Sequence, residues 1–152
     1  MKATGIVRRI DDLGRIVIPK EIRRTLHIRE SDPLEIFTDR EGQVILKKYS
    51  PIGEMTTFAR QYAESLAQVS GHTALIADRD QFIAVAGGSK QLLNKAVSRQ
   101  LEEKIHNRET VIAAKGDRNY VNIAEDIAID YAWQLITPII CEGDIIGSVI
   151  LL

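Results

Sequence analysis

Five arginine side chains lie close together near the start of the sequence, and their chemistry indicates contact with phosphate groups. They are Arg8, Arg9, Arg15, Arg23 and Arg24. A guanidinium group carries a permanent positive charge and a planar fork of donors, so it binds phosphate oxygens and forms paired hydrogen bonds with guanine in the major groove of DNA. The cluster therefore predicts a surface that binds double-stranded DNA, and the alternative is a solvated charged face without a ligand.

The distribution of charge favours the nucleic-acid interpretation. The chain of 152 residues has a formal net charge of −1, yet residues 1–50 carry 11 basic and 8 acidic side chains, while residues 51–152 carry 9 and 13. The two parts therefore have net charges of +3 and −4. A basic segment joined to an acidic one is the electrostatic pattern of a nucleic-acid reader with a separate regulatory part.

Short elements must hold these arginines in place. Apolar and β-branched runs predict four strands, at residues 5–10, 15–18, 34–38 and 43–48. A turn at residues 11–14 joins the first two strands, and the last two form a β-hairpin. Pro19 ends the second strand and begins a short helix that reaches His27, with Ile22 and Leu26 on its apolar side.

A unit of about 50 residues buries little apolar surface by itself, since even a 60-residue domain buries only about 60% of the surface of its unfolded chain. The sequence supplies no internal disulfide, because Cys141 is its single cysteine. We therefore expect two copies of residues 1–50 to complete one shared core as an obligate dimer.

A change of pattern near residue 51 divides the chain into a first domain (1–50), a linker (51–53) and a second domain (54–152). The second domain opens with a predicted helix over residues 53–69. Its apolar residues recur at intervals of four and three, and they are Met55, Ala59, Tyr62, Leu66 and Val69. This spacing is typical of a coiled-coil contact between subunits and equally of a helix that packs on its own sheet.

The rest of the second domain alternates strands and helices. Five strands are predicted, at residues 72–77, 81–86, 110–114, 132–141 and 144–152. A helix capped by Ser89 is predicted to reach Asn107, and residues 115–130 are ambiguous. This order predicts an α+β domain in which helices cover one side of a mainly antiparallel sheet.

Few residues could support catalysis or metal binding. Cys141 lies within an apolar strand pattern without a basic neighbour, so we expect a buried structural cysteine. His72 and His106 are interpreted as turn or surface residues. Because there is no nucleophile–base pair, paired carboxylate or set of metal ligands, we expect no enzyme activity, cofactor or metal. No apolar run resembles a membrane span or a signal peptide, so we expect a cytoplasmic protein.

The first domain resembles the AbrB transition-state regulators. The resemblance is carried by residues 4–26, which read TGIVRRIDDLGRIVIPKEIRRTL, and by the segments 32–36 and 44–49. It implies a swapped-hairpin β-barrel, formed by two intertwined chains, that includes one short helix. It also implies that DNA is contacted by Arg8, Arg15, Arg23 and Arg24. We expect secondary contributions from other basic residues of the same segment, Lys2, Arg9 and Lys20. The family commonly has glycine where His27 and Ser31 stand here.

The second domain resembles a GAF domain, most clearly over residues 135–152. GAF domains often bind small molecules between the sheet and the segment that corresponds to residues 107–131, although the residues here do not indicate which molecule, if any. A GAF domain usually continues into a closing helix, whereas this sequence ends on its last predicted strand at Leu152. Either the sequence is cut short there, or a helix bundle between subunits is built from the helix of Met55 to Val69 without that companion.

An AbrB-like first domain followed by a GAF-like second domain is similar to a family of sporulation regulators of endospore-forming bacteria. That resemblance implies a homotetramer of paired dimers that binds DNA in the nucleoid. It further implies activation and repression of forespore genes late in sporulation. The alternative is an antitoxin, since toxin-neutralising proteins use the same swapped-hairpin module, usually with a disordered tail rather than a folded second domain.

Overall fold

The computed structural model describes residues 4–88, 90–127 and 130–152. Lys2, a predicted DNA contact, and Ser89, a predicted helix cap, lie outside these residues. The chain divides into two compact units, Met1–Tyr49 and Ser50–Leu152. Strands predominate over helices among the described residues, and the segment 51–53 that was predicted to be a linker is helical.

The first unit contains one helix and one β-hairpin among its described residues. The helix, α1, spans Lys20–Thr25, and the strands β1 (Leu34–Thr38) and β2 (Val44–Lys48) pair in antiparallel register. These elements confirm the predicted short helix and hairpin, except that Pro19 precedes the helix and does not form its first turn.

Two further strands were predicted in the first unit, at residues 5–10 and 15–18, and neither forms within a single chain. The turn between them is present, because the Asp11 N–H donates to the Arg15 carbonyl (3.0 Å) and the Gly14 N–H to the Asp11 carbonyl (3.0 Å). A strand needs a neighbour that accepts and donates its backbone hydrogen bonds. Residues 5–10 and 15–18 have the residue types of strands but no ladder partner among the described residues of their own chain.

The first unit buries almost none of its apolar side chains. Among its described residues, Pro19 alone is buried. Val7 is 88% exposed, Ile10 is 70% exposed and Val17 is 71% exposed. Burial of such side chains is the main favourable contribution to folding, and the described residues of this unit form no core of their own.

Two non-glycine residues of the first unit adopt left-handed backbone conformations that favour glycine. They are His27 (φ 52°) and Ser31 (φ 67°), the two positions at which the AbrB-like pattern commonly has glycine. A residue with a Cβ atom is less stable than glycine in this region of φ and ψ. Both residues therefore stand at positions where the backbone conformation itself favours glycine.

The second unit is built on a five-stranded antiparallel sheet. Its strands are β3 (Ala74–Ala77), β4 (Phe82–Ala86), β5 (Val111–Ala114), β6 (Trp133–Cys141) and β7 (Asp144–Leu151). Their order across the sheet is β4-β3-β7-β6-β5. They confirm the five predicted strands to within a few residues. The helices of this unit are α2 (Pro51–Glu54), α3 (Thr56–Ser70) and α4 (Arg99–His106).

The prediction that helices cover one side of the sheet is wrong, because α3 and α4 pack on opposite faces. Ala59 and Ala63 of α3 pack with Ile76 in one core cluster. Leu101 and Ile105 of α4 belong to a separate and larger cluster, together with strand residues that include Leu75, Phe82, Ile136 and Ile150. Neighbouring residues of a strand point to opposite faces, so Leu75 packs on the side of α4 and Ile76 on the side of α3.

The helix predicted for residues 53–69 is divided into α2 and α3 at Met55, which lies between them with φ −94° and ψ 30°. Ser50 begins α2 instead of an extended linker, because its hydroxyl accepts a hydrogen bond from the Gly53 N–H (3.0 Å). The same hydroxyl donates to the buried carboxylate of Asp78 (3.2 Å). One side chain therefore caps α2 and ties it to the β3–β4 turn.

The prediction of one helix over residues 89–107 is also wrong, since its second half alone is an α-helix. Lys90–Leu92 form one 3₁₀ turn, and α4 begins only at Arg99. Between them Asn94 adopts a left-handed conformation (φ 62°). Ser98 is extended, and its hydroxyl accepts the Leu101 N–H (3.1 Å) as the cap of α4. The apolar spacing typical of a helix continues between Leu92 and Arg99. Backbone groups in this segment, such as those of Asn94 and Lys95, form hydrogen bonds with β4 instead.

Each outer strand of the sheet has backbone hydrogen bonds on its free edge at one end. Beside β4, the Phe82 N–H donates to the Lys95 carbonyl (3.0 Å) and the Phe82 carbonyl accepts from the Asn94 N–H (2.8 Å). Beside β5, the Ala114 N–H donates to the Asp117 carboxylate (2.8 Å), and the Asp117 N–H donates to the Ala114 carbonyl (3.0 Å). These bonds occupy backbone groups that a further strand would need.

Candidate nucleic-acid interface

The five arginines of the predicted DNA-binding cluster are all exposed, and they lie on three consecutive parts of the first unit. Arg8 and Arg9 lie on the extended arm before the turn, and Arg15 lies at the exit of the turn. Arg23 and Arg24 lie in the last turn of α1. The positions predicted for contact with phosphates or bases are therefore accessible in the described chain.

The helix places its arginines next to the turn that follows it. The Arg23 N–H donates to the Pro19 carbonyl (3.0 Å), and the Arg23 carbonyl accepts from the Ile28 N–H (2.7 Å). Ile22 is half-buried, whereas Lys20, a predicted secondary contact, is exposed. The helix therefore keeps its apolar residue Ile22 partly covered and presents its basic side chains to solvent.

Asp11 organises the turn that carries Arg15. One oxygen of its carboxylate accepts the Arg15 N–H (2.8 Å) and the Leu13 N–H (3.0 Å). The other oxygen accepts the Arg15 Nε–H (2.8 Å), which completes an ion pair. The Arg15 backbone N–H, followed by its guanidinium, holds the pKa of Asp11 below its usual value. Hydrogen bonds to an ionised carboxylate have this effect because they favour the charged form.

The role of Asp11 was not predicted from the sequence, which indicated only a turn residue and one acidic charge. The available signal was an aspartate at the start of a turn that ends in glycine and arginine, since aspartate accepts hydrogen bonds from backbone N–H groups two or more residues ahead. The bond to the guanidinium does not follow from this pattern.

The helical face predicted to join subunits is divided in the structure. Ala59 is 5% exposed and packs on the sheet of its own chain. Met55, Tyr62 and Val69 are 53%, 63% and 89% exposed, while Leu66 is half-buried. Phe58, which the prediction did not include, is 56% exposed on the same helix. An apolar surface therefore runs along α3 beside the face that packs on the sheet.

Polar contacts hold the segment that was ambiguous in sequence, residues 115–130, to the second unit. With the Gln134 amide oriented to match its surroundings, its nitrogen donates to the Val121 carbonyl (3.0 Å) and its oxygen accepts the Val121 N–H (2.6 Å). The Gln100 side-chain oxygen accepts the Asn122 N–H (2.9 Å). Ser98, the cap of α4, donates its hydroxyl proton to the Asn122 carbonyl.

Other candidate groups give no catalytic arrangement among the residues that the structure describes. Cys141 is exposed at the end of β6, so the prediction of a buried structural cysteine is wrong. His72 is exposed and its ring meets that of Trp133 edge-on at 4.7 Å. The described ranges contain no group of histidine, cysteine and carboxylate side chains that could hold a metal. Nor do they contain a helix of the length and hydropathy that a membrane span requires.

Comparison with known proteins places this architecture in a family. The family model described as "Stage V sporulation protein T C-terminal, transcription factor" matches residues 54–152. Stage V sporulation protein T of Bacillus subtilis (strain 168) is 55% identical over 152 residues, which cover 99% of this chain and 84% of that protein. The chain belongs to the stage V sporulation protein T family. The resemblance to sporulation regulators inferred from the residues is confirmed.

Two proteins described as transition state regulators are also similar to this member of the stage V sporulation protein T family. Transition state regulatory protein AbrB of B. subtilis (strain 168) is 44% identical over 108 residues, covering 71% of this chain and 93% of that protein. The putative transition state regulator Abh of the same organism is 42% identical over 76 residues, covering 46% of this chain and 82% of that protein.

Two further matches concern the amino-terminal part of this family member. The solution structure of the N-domain of the transcription factor abrB is 65% identical and covers 34% of this chain and 96% of that chain, with a TM-score of 0.31. The family model "Antidote-toxin recognition MazE, bacterial antitoxin" matches residues 7–54.

Proposed function

We propose that this chain is a DNA-binding transcriptional regulator that acts on forespore genes late in sporulation, as both activator and repressor at the nucleoid. The observation that carries the proposal is the exposure of five arginines on one turn-and-helix segment of a basic unit. The relatives support it, since a similar solved structure is described as the "N-terminal DNA Recognition Domain" of AbrB, at 65% identity. Arg8, Arg15, Arg23 and Arg24 are the proposed DNA contacts, with Lys2, Arg9 and Lys20 contributing secondarily.

The DNA-binding form is proposed to be a swapped-hairpin dimer of the first unit. Residues 5–10 and 15–18 have strand sequences and a hydrogen-bonded turn, but the described part of the chain gives them no ladder partner, and they expose Val7, Ile10 and Val17. A second copy would supply both missing ladders and bury these side chains at once. Dimerisation would bring two sets of arginines onto one surface.

The second unit is proposed to be a GAF-like domain that assembles the dimers into a tetramer. The support is the exposed apolar surface of α3, formed by Met55, Phe58, Tyr62 and Val69. A patch of this kind is a common sign of a protein–protein contact. An effector bound between the sheet and residues 107–131 is a further proposal, and no residue indicates its chemistry.

A salt titration of binding to duplex DNA tests the proposal. If a dimer neutralises about 5 to 8 phosphates, log affinity falls against log salt concentration with a slope of roughly −4 to −7. The variant Arg23→Ala should flatten the slope by about 1 for each phosphate that is no longer neutralised. Arg118→Ala, which removes an exposed arginine from the second unit, is the matched control and should leave the slope unchanged. A wild-type slope near zero refutes DNA binding.

Light scattering tests the proposed assembly. Tyr62→Lys should convert a tetramer to dimers, because it places a charge in the apolar surface of α3, whereas Gln61→Lys adds the same charge at a neighbouring exposed position and should not. A fragment of residues 1–50 should form dimers that still bind DNA. A folded, monomeric fragment contradicts the swapped dimer, and an unchanged mass for Tyr62→Lys contradicts the role of α3.

The match to the MazE family model keeps an antitoxin as the second candidate function. Against it, the second unit has strands, helices and two core clusters in place of a disordered tail. The two functions are distinguished in the native host, where deletion of the gene should change forespore transcription. An antitoxin would instead be required to counter a toxin encoded beside it.

A further inference from the structure

We propose that Asp11 is a positioning residue that directs Arg15 to a base edge, while Arg23 and Arg24 bind backbone phosphates. The proposal deepens the proposed function and rests on it. It assigns different tasks to arginines that the sequence pattern treats as equivalent.

The geometry of the ion pair leaves the outer end of Arg15 free to bind a ligand. Asp11 bonds both the backbone N–H and the Nε–H of Arg15, each at 2.8 Å. A guanidinium has five N–H donors, so the four on the terminal nitrogens remain available when the Nε–H is occupied. The carboxylate thus fixes the inner end of the side chain. The outer fork is the part of arginine that forms two hydrogen bonds with the O6 and N7 atoms of guanine.

The charge of the pair favours a base over a phosphate. Within the part of the chain that the structure describes, Arg15 is the member of the arginine cluster that forms an ion pair, and its side chain remains 70% exposed. A carboxylate held beside this guanidinium repels a backbone phosphate, since like charges repel and the pair has little net charge. A base edge is uncharged and carries no such penalty. Arg23 and Arg24 lie on α1, whose last turn is basic, which suits phosphate contacts.

The test measures binding of the full chain to two duplexes of equal length and composition. One is selected from a random pool by the wild-type protein, and the other is its scrambled version. The ratio of the two affinities reports base reading, because phosphate contacts contribute to both duplexes alike. Asp11→Asn retains an oxygen for the turn but removes the charge that holds the Nε–H. It should lower the ratio roughly 5-fold or more, the loss expected when one bidentate base contact fails.

Asp12→Asn is the matched control, because Asp12 is the adjacent exposed carboxylate and the substitution changes the net charge equally. It should strengthen binding to both duplexes and leave the ratio unchanged. Equal effects of Asp11→Asn and Asp12→Asn overturn the proposal, since they would show a general effect of charge.

A double-mutant cycle distinguishes positioning from a purely structural role. In an Arg15→Ala background, Asp11→Asn should leave the ratio of affinities unchanged. If Asp11 only maintains the turn, its replacement should still lower the affinity for DNA in this background. If Asp11→Asn does not fold, as judged by circular dichroism, Arg15→Lys decides the question. It keeps the positive charge and the backbone bonds of the turn but lacks the fork, so the ratio should fall while the salt slope stays the same. A retained ratio overturns the assignment.

The outcomes separate this inference from the proposed function. If the wild type binds no duplex at all, the proposed function fails. If it binds with a steep salt slope but enriches no sequence from the random pool, DNA binding stands and the assignment of Arg15 to a base edge is overturned.

Discussion

Among the glycines of the second unit, Gly147 is the one at which an added Cβ atom would meet the shortest contact. A Cβ atom at this residue would lie 2.2 Å from the Ala77 carbonyl oxygen and 3.0 Å from the Cδ1 atom of Ile52. Gly147 lies in β7, between β3 and β6, and is paired with Ile139. Glycine is therefore needed here for the close approach of two central strands.

The cost of Gly147→Ala follows from this distance. An ordinary carbon–oxygen contact in a sheet is about 3.3 Å or more, so β3 and β7 would have to separate locally by about 1 Å. Overpacking of this kind, together with a weakened ladder hydrogen bond, should lower the free energy of unfolding by about 3 kcal/mol. For a unit of this size, about 4 °C per kcal/mol gives a decrease in Tm of about 12 °C.

Differential scanning calorimetry of the full chain measures this effect, with Gly143→Ala as the control. Gly143 has φ +89° and no atom within 4 Å of a built Cβ, so the control reports backbone strain without a clash. It should cost about 1 kcal/mol. If Gly147→Ala melts no lower than Gly143→Ala, the close approach of β3 and β7 is not what requires glycine.

Two further predictions concern single side chains of the second unit. Ser148 is fully buried and its hydroxyl has no hydrogen-bond partner among the described residues, so Ser148→Ala should raise the free energy of unfolding by about 1 kcal/mol. Urea denaturation measures this change, and a clear loss of stability would contradict it. Glu109 accepts a hydrogen bond from Lys104 (2.6 Å), and this bond, with a smaller contribution from Asn107, holds the pKa of Glu109 below its usual value. A lowered pKa gives stabilisation that is present at neutral pH and lost as the pH falls through that pKa. Wild type and Glu109→Gln should therefore differ in Tm at pH 7 and converge in acid, and a difference independent of pH would argue against the ion pair.

Local sequence signals were sufficient where the chain forms structure with its near neighbours. The hairpin of β1 and β2 and the strands β6 and β7 follow from apolar runs separated by turn residues. Helix α1 follows from Pro19 and the spacing of Ile22 and Leu26. In each case the residues that specify the element also make its contacts, so few distant residues have to be known.

The errors occur where distant backbone groups override the local pattern. Apolar spacing over residues 89–107 predicted one helix, but Asn94 and Lys95 bond to β4, and Ser98 caps a shorter helix. The division of helices between two faces depends on the pairing of Leu75 and Ile76 with other strands, which local residue types do not specify. Cys141 was predicted to be buried because its strand is apolar, yet it lies at the exposed end of that strand.

The candidate site could be predicted in composition but not in detail. The arginines were recognisable from their number and spacing, and the family resemblance assigned them to DNA. The hydrogen bond between Asp11 and the Arg15 guanidinium depends on the directions of the two side chains, and residue types alone do not specify these directions. Phe58 was not predicted to belong to the subunit contact, because Ala59 fits the same apolar spacing. In the structure Ala59 packs on the sheet of its own chain and Phe58 is exposed.

Occupied positions at the margins of the five-stranded sheet bear on how copies of the chain could associate. Main-chain groups at Phe82 and Ala114 already have partners, so a strand added in a register that uses either residue would first require breaking existing bonds. These bonds limit the registers in which strands of two copies could pair. Contacts between side-chain surfaces require no such exchange of backbone bonds.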